Sequence, residues 1–300
     1  MTRNVPQLET IAGPCPAFEV LRPSRQTVPL VFCSPHSGRA YPADFLVATR
    51  LSPQAVRRSE DLFVDELFDF VPSLGAPLLV ARFPRAYLDA NREPYELDPK
   101  MFAGALPSHV NSGSLRVAGG LGTIPKIVAE REQIYGHKLD VEEAMDRIER
   151  LHLPFHATLS ELLDETLEVF STAVLIDCHS MPSSARNVQG GRSPDMVIGD
   201  RHGTSASSCI VSVLVSALSA QGYDVVRNKP YAGGYITERY GRPAKGVHAI
   251  QIEINRALYA DEAQLLPHLG FSRVRADLAA VFEFLALRLS GEASLPAAAE

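Results

Sequence analysis

Residues 173–182 read AVLIDCHSMP, four apolar side chains running straight into a cluster that carries Asp177 and His179. A short, uninterrupted apolar run fits a strand buried on both faces, as in a parallel sheet covered by helices. The same transition recurs along the chain: LVFC (30–33) into SPHSG, LLVA (78–81) into RFPRAYLDANR, and MVIG (196–199) into DRHG. In open α/β sheets, ligands bind outside the carboxyl ends of the strands. Polar clusters at the ends of several apolar runs therefore mark a candidate active site.

Working outward, the pattern predicts strands over residues 29–33, 77–81, 173–176, 196–198, 224–226 and 247–254. Amphipathic stretches predict helices over 53–70, with an interruption near Ser59 as the alternative, 141–152, 154–170, 204–221 and 260–289. Ser52-Pro53 supplies an N-cap followed by proline at the first helical position, a helix-start signal. Buried strands alternating with helices predict an α/β layered fold with a largely parallel sheet. Residues 1–25 read as an irregular lead-in, 26–290 as a single domain and 291–300 as a loose tail, with no repeat or linker between.

The bulk numbers exclude several classes. With 300 residues, 46% hydrophobic and 21% charged, the chain can bury a sizeable core and is not wholly disordered. Its formal net charge of -6 offers no general attraction to nucleic acid or an anionic membrane. An anionic ligand would have to be drawn by local arginines and a metal. The four cysteines, Cys15, Cys33, Cys178 and Cys209, show no CxxC spacing, and Cys33 and Cys178, inside apolar runs, read as small buried hydrophobes. The N-terminus lacks the apolar core of a secretory signal, and no charge-free stretch is long enough to span a bilayer, which predicts a cytoplasmic location.

Candidate chemistry follows the strand ends. His36, between Pro35 and Gly38, suits a metal ligand held at the edge of a rigid element; a loop-capping histidine is the alternative. Period-2 alternation puts Asp177 and His179 on one side of their strand, where the acid could orient the histidine. In VHAIQIEINR (247–256), alternation sets Ile250, Ile252 and Ile254 against Gln251, Glu253 and Asn255. A glutamate in so apolar a strand is costly unless paired or tuned, and burial raises its pKa toward the range of a general base. An ion pair with Arg256 is the structural alternative. In RSEDLFVDEL (58–67), helical spacing groups Asp61 with Asp65, and most of its carboxylates read as a solvated helix face. Arg82, Arg85 and Arg92 surround an apolar AYLDA segment, and arginine forks match carboxylates bidentately. Gly233 and Gly234, with Tyr231 beside them, fit either a substrate loop or a hairpin turn.

Taken in order, SPHSGRAYP, SEDLFVDEL, YLDANREP, GLGTIPKIV, DCHSMP, KPYAGGYITERYG and HAIQIEINRALY resemble the N-formylglutamate amidohydrolase family over residues 31–259. DCHSMP and QIEINRALY are the most specific pieces. The resemblance extends to the zinc carboxypeptidase and aspartoacylase-like hydrolases, which implies a three-layer α/β/α sandwich with a mixed sheet. It implies one Zn2+ ion held by His36, Asp61 and His179, with Asp61 preferred over its neighbour Glu60. It also implies Glu253 as the catalytic carboxylate, Asn91 and Arg92 as a substrate clamp, and Arg82 or Arg85 as further carboxylate partners. An arginine would join the metal in stabilising the oxyanion. The implied reaction is hydrolysis of N-formyl-L-glutamate to formate and L-glutamate, a step of histidine degradation. Two alternatives stay open: a related amidase for another N-acyl amino acid, and a non-catalytic protein that binds small acidic ligands.

Overall fold

Seven strands form one sheet in the order β1-β3-β2-β4-β7-β5-β6 in the computed structural model, which describes residues 16–128, 131–185 and 193–292. They are β1 (Phe18–Leu21), β2 (Leu30–Ser34), β3 (Leu78–Ala81), β4 (Ala173–Met181), β5 (Met196–Gly199), β6 (Val225–Arg227) and β7 (Val247–Asn255). The central four, β3-β2-β4-β7, are parallel. β1 lies antiparallel on β3, and β5, itself parallel to β6, lies antiparallel on β7. Every residue of β2, β3, β4 and β5 is buried, as continuous apolar runs require.

Helices cover both faces. Between β2 and β3 come α1 (Ala43–Ala48), α2 (Pro53–Arg57), α3 (Val64–Leu67) and α4 (Val71–Leu74); between β3 and β4 come α5 (Leu115–Ala118), α6 (Val141–Arg147) and α7 (Leu153–Phe170). Helix α8 (Ser208–Ala220) follows β5, α9 (Tyr235–Tyr240) precedes β7, and α10 (Phe271–Glu292) ends the described chain. One face packs Phe32, Ile176, Cys178 and Ile252 against Leu67 of α3, Leu214 of α8 and Phe282 of α10. The other packs Val31, Leu175 and Ala249 against Phe45 of α1, Phe155 and Leu159 of α7 and Ile236 of α9. The result is the three-layer α/β/α sandwich with a mixed, largely parallel sheet.

Several expectations are refined or corrected. The 53–70 stretch takes its interrupted form: α2 starts on its Ser52 cap, whose side chain accepts from the Ala55 N–H, and the chain leaves the helix after Arg57. The Asp61 N–H is drawn 3.0 Å from the His36 carbonyl and Phe63 takes a left-handed turn at φ 56°, so Asp61 and Asp65 do not share a helix face. The 260–289 helix begins only at Phe271, because residues 260–267 form a small two-strand ribbon. Residues 18–21 of the irregular lead-in are strand β1. Finally, Asp177 and His179 lie inside β4, which runs on to Met181, and the antiparallel β5 carries DRHG toward the amino end of β7, away from the other strand ends. Cys15 and residues 293–300 of the tail lie outside the described residues.

Candidate metal centre and active-site cavity

Three elements bring the first cluster together. β2 ends in the turn that holds His36, the segment between α2 and α3 crosses the sheet edge with Asp61, and β4 carries His179 on the α7 face. His179 Nδ1 lies 2.9 Å and His36 Nδ1 3.4 Å from the same oxygen, Asp61 Oδ2, and all three side chains are buried. The far nitrogen of each ring has its own carboxylate. His36 Nε2 is 2.7 Å from Asp89 Oδ1, and His179 Nε2 is 2.9 Å from Asp177 Oδ1. Arg256 donates to the outer oxygen of Asp61 at 3.2 Å.

This arrangement fits a metal ion. With His36 Nε2–H donating to Asp89, His36 Nδ1 presents a lone pair toward Asp61 Oδ2, and His179 Nδ1 faces the same oxygen while its Nε2 meets Asn91 Nδ2 at 3.0 Å. The buried His36 Nδ1 has no hydrogen-bond partner among the described residues. Three acceptor atoms within 4.8 Å of one another are stabilised by a shared cation, and carboxylates behind metal-bound histidines set tautomer and ring direction. Burial alone would raise the Asp61 carboxyl, but the two histidines hold it well below the usual carboxylate range. Asp89 is likewise held low against burial, by Arg92, His36 and Arg85.

Glu253 stands one strand away, on the same face of β7, in register with His179. Burial pushes its carboxyl up to about 7, with His179 and Arg85 opposing and Asp61 adding to the rise. Gln251 donates to Glu253 Oε1 at 2.9 Å and accepts from the Gly234 N–H, tying the carboxylate to the loop before α9. A cavity of about 730 Å³ opens over these groups. Asn91, Arg85, Arg92, Arg116, Tyr231 and Gly233 are among its lining residues.

A model of the N-formylglutamate amidohydrolase family matches residues 28–260. The chain belongs to the N-formylglutamate amidohydrolase family. It is 30% identical over 240 residues to an N-formylglutamate deformylase of Pseudomonas putida, covering 79% of this chain and 84% of the relative. It is 31% identical over 265 residues to the N-formylglutamate deformylase of Pseudomonas aeruginosa, covering 87% of this chain and 91% of the relative. Among solved structures, the crystal structure of N-formylglutamate amidohydrolase from Ralstonia eutropha JMP134 superposes with a TM-score of 0.87 at 34% identity. That match covers 93% of this chain and all of the other. No described helix is long and apolar enough to cross a membrane.

Within this amidohydrolase the expected residues divide. His36, Asp61, His179 and Glu253 converge, with Asn91, Arg85, Arg92, Tyr231, Gly233 and Gly234 around the same cavity. Glu60 is placed elsewhere: its buried carboxylate takes Arg57 and the Tyr41 hydroxyl. Arg82 is also placed elsewhere, paired with Glu19 of β1 and outside the cavity lining. Gly233 and Gly234 form no hairpin. They wall the cavity, Gly233 at φ 123° and Gly234 so close to Asn91 that an added Cβ would lie 2.5 Å from its amide. Asn91 donates to Asp177 Oδ2 at 3.2 Å and accepts from the Ile236 N–H at 2.8 Å.

The sequence reading missed Asp89, Gln251 and two histidines behind the site. His152 reaches the Arg92 carbonyl and His156 the Ala90 carbonyl, each at 2.8 Å, bracketing Asn91. His152 closes a π-turn (Ile148–His152) that joins α6 to α7 just before Pro154. Proline cannot donate to the preceding turn, so the helix widens there. The signals for Asp89 were its charge inside an otherwise apolar AYLDA segment and its place at the head of DANR, from which only Asn91 and Arg92 are singled out.

Proposed function

We propose that this amidohydrolase cleaves the formyl amide of N-formyl-L-glutamate, giving formate and L-glutamate, with one zinc ion held by His36, Asp61 and His179. The observation that carries the reading is the convergence of two Nδ1 atoms and one carboxylate oxygen next to a buried glutamate, in a cavity lined by arginines. The deformylase names of the Pseudomonas relatives support the substrate. When bound, a zinc ion with three protein ligands supplies Lewis-acid polarisation of a carbonyl and a lowered pKa for water.

The chain's own groups do the rest. Glu253, poised near neutrality, takes a proton from the attacking water and returns it to the amide nitrogen as the C–N bond breaks, so the carboxylate is regenerated. Gln251 keeps one oxygen of Glu253 fixed while the other works. Arg85 adjoins both Asp61 and Glu253, and its Nε is held by Asp89 at 3.0 Å. Its terminal N–H groups have no partner among the described residues, so it is the arginine best placed to meet the substrate near the reacting carbon. Arg92 differs: Nε is held by the Leu121 carbonyl and NH1 by the Asn91 carbonyl, both at 2.7 Å, with Asp89 3.4 Å from NH2. Arg92 is then a strut of the cavity wall, and the resemblance-derived clamp role passes to Arg85. The test is formate release from N-formyl-L-glutamate by metal-loaded protein, with metal content measured in parallel. Activity that chelation abolishes is expected; metal-loaded protein that releases no formate overturns the reading.

A further inference from the structure

The proposed substrate carries two carboxylates, one bonded to Cα and one three bonds further out, so a selective site needs two cation positions. Six arginines line the cavity; Arg58, 3.7 Å from Glu132, and Arg131 are exposed, and the other four differ in what holds their donors. Arg256 donates from Nε to Ser180, from NH2 to Asp61 and from NH1 to the Arg58 carbonyl. Arg92 is committed as described, and Arg85 stands over the reacting groups. Arg116, on α5, is different. Its NH1 lies 3.5 Å from Glu96 Oε2, a marginal contact, while Nε and NH2 have no partner among the described residues, and the side chain lines the cavity partly exposed. Glu96 is buried and also faces the Glu93 N–H, so it steadies Arg116 from behind.

The wall that carries Arg116 is pinned to the catalytic segment. The Leu121 N–H bonds the Arg116 carbonyl at 2.8 Å, the Leu121 carbonyl takes Arg92, the Thr123 N–H bonds the Glu96 carbonyl, and the Asp89 N–H bonds the Thr123 carbonyl. Arg92 therefore fixes the distance between the reaction centre and Arg116. An arginine with open donors on a rigid wall is a built receptor for a carboxylate, which it can grip with two parallel N–H bonds. We propose that Arg116 reads the distal carboxylate of the substrate and so determines selection of acidic over neutral N-acyl amino acids. This rests on the reaction proposed above.

The experiment compares kcat/KM for N-formyl-L-glutamate with that for its neutral isostere N-formyl-L-glutamine, in wild type, Arg116→Gln and Arg116→Lys. Losing a charge-assisted bond should cut the Glu-over-Gln ratio about 30-fold in Arg116→Gln, carried by KM rather than kcat, with partial recovery in Arg116→Lys. Misfolding lowers both substrates and leaves the ratio alone. A ratio that stays within about three-fold of wild type overturns the inference. If wild type hydrolyses neither substrate, the proposed reaction fails, and calorimetry with L-glutamate against L-glutamine decides on Arg116 separately. A wild-type preference for L-glutamate that Arg116→Gln abolishes supports it; equal binding, or a preference that survives, overturns it.

Discussion

Strand β7 carries two chemistries on one backbone. Ile250, Ile252 and Ile254 enter an apolar layer under α8 and α10, while Gln251 and Glu253, also buried, lie on the face of the His36–Asp61–His179 cluster. β4 repeats the split, with Ile176 and Cys178 on the first face and Asp177 and His179 on the second. The apolar face contributes stability through area removed from water. The polar face costs desolvation and recovers it only through a chain of paired charges. Stability and activity should therefore respond to opposite sides of the same strands.

The largest expected effect tests the polar face. Glu253→Gln should lower kcat about 10³-fold, within the span of general-base catalysis, while the denaturation midpoint stays level or rises, because a buried carboxyl no longer resists ionisation. A matching fall in stability would break the contrast. On the apolar face, Ile252→Ala should destabilise by about 2–5 kcal/mol in equilibrium denaturation, with the folded fraction keeping its kcat. Asp89→Asn probes what lies behind the cluster. It should weaken metal affinity about 10- to 100-fold in a competition titration, more than it alters the fold.

The smallest effect is a pH dependence. Burial pushes His152 down to about 4 and His156 down to about 3. Folded pKa values below the unfolded value of about 6.5 mean that this stability is present above pH 6.5 and lost as the pH falls toward 4. Each histidine should take away about 1 kcal/mol between pH 6.5 and 5.5. Glu253 works the other way: its folded pKa is raised to about 7, so its contribution is lost as pH rises from about 4.5 through 7. Removing it sharpens the contrast, and denaturation of Glu253→Gln should show a steeper acid loss than wild type.

Much of this was legible because burial writes itself into composition. Continuous apolar runs mark the central strands, and alternation in β7 separates Glu253 from the isoleucines. An interruption near Ser59 was open in the sequence, but its cause was not legible. The segment around Asp61 keeps helix-compatible residues, and only a bond from its N–H to the His36 carbonyl, a partner 25 positions away, takes it out of the helix. The direction of β5 was hidden for the same reason, since an apolar run reads alike whichever way it lies on its neighbour. Arg82 and Arg85 are three residues apart and chemically alike; Glu19 of an unforeseen edge strand draws one outward, and Asp89 holds the other over the cavity.

By itself, then, the sequence determined which strands are buried, which residues share their faces, and that a carboxylate and a histidine sit where a sheet meets its ligand. Tertiary structure alone decided which arginines keep donors for a substrate and what stands behind each histidine. The division has a physical cause. Hydrophobic periodicity is a local property of the chain, whereas a hydrogen bond or a metal ligand set is satisfied by whichever distant group the fold delivers.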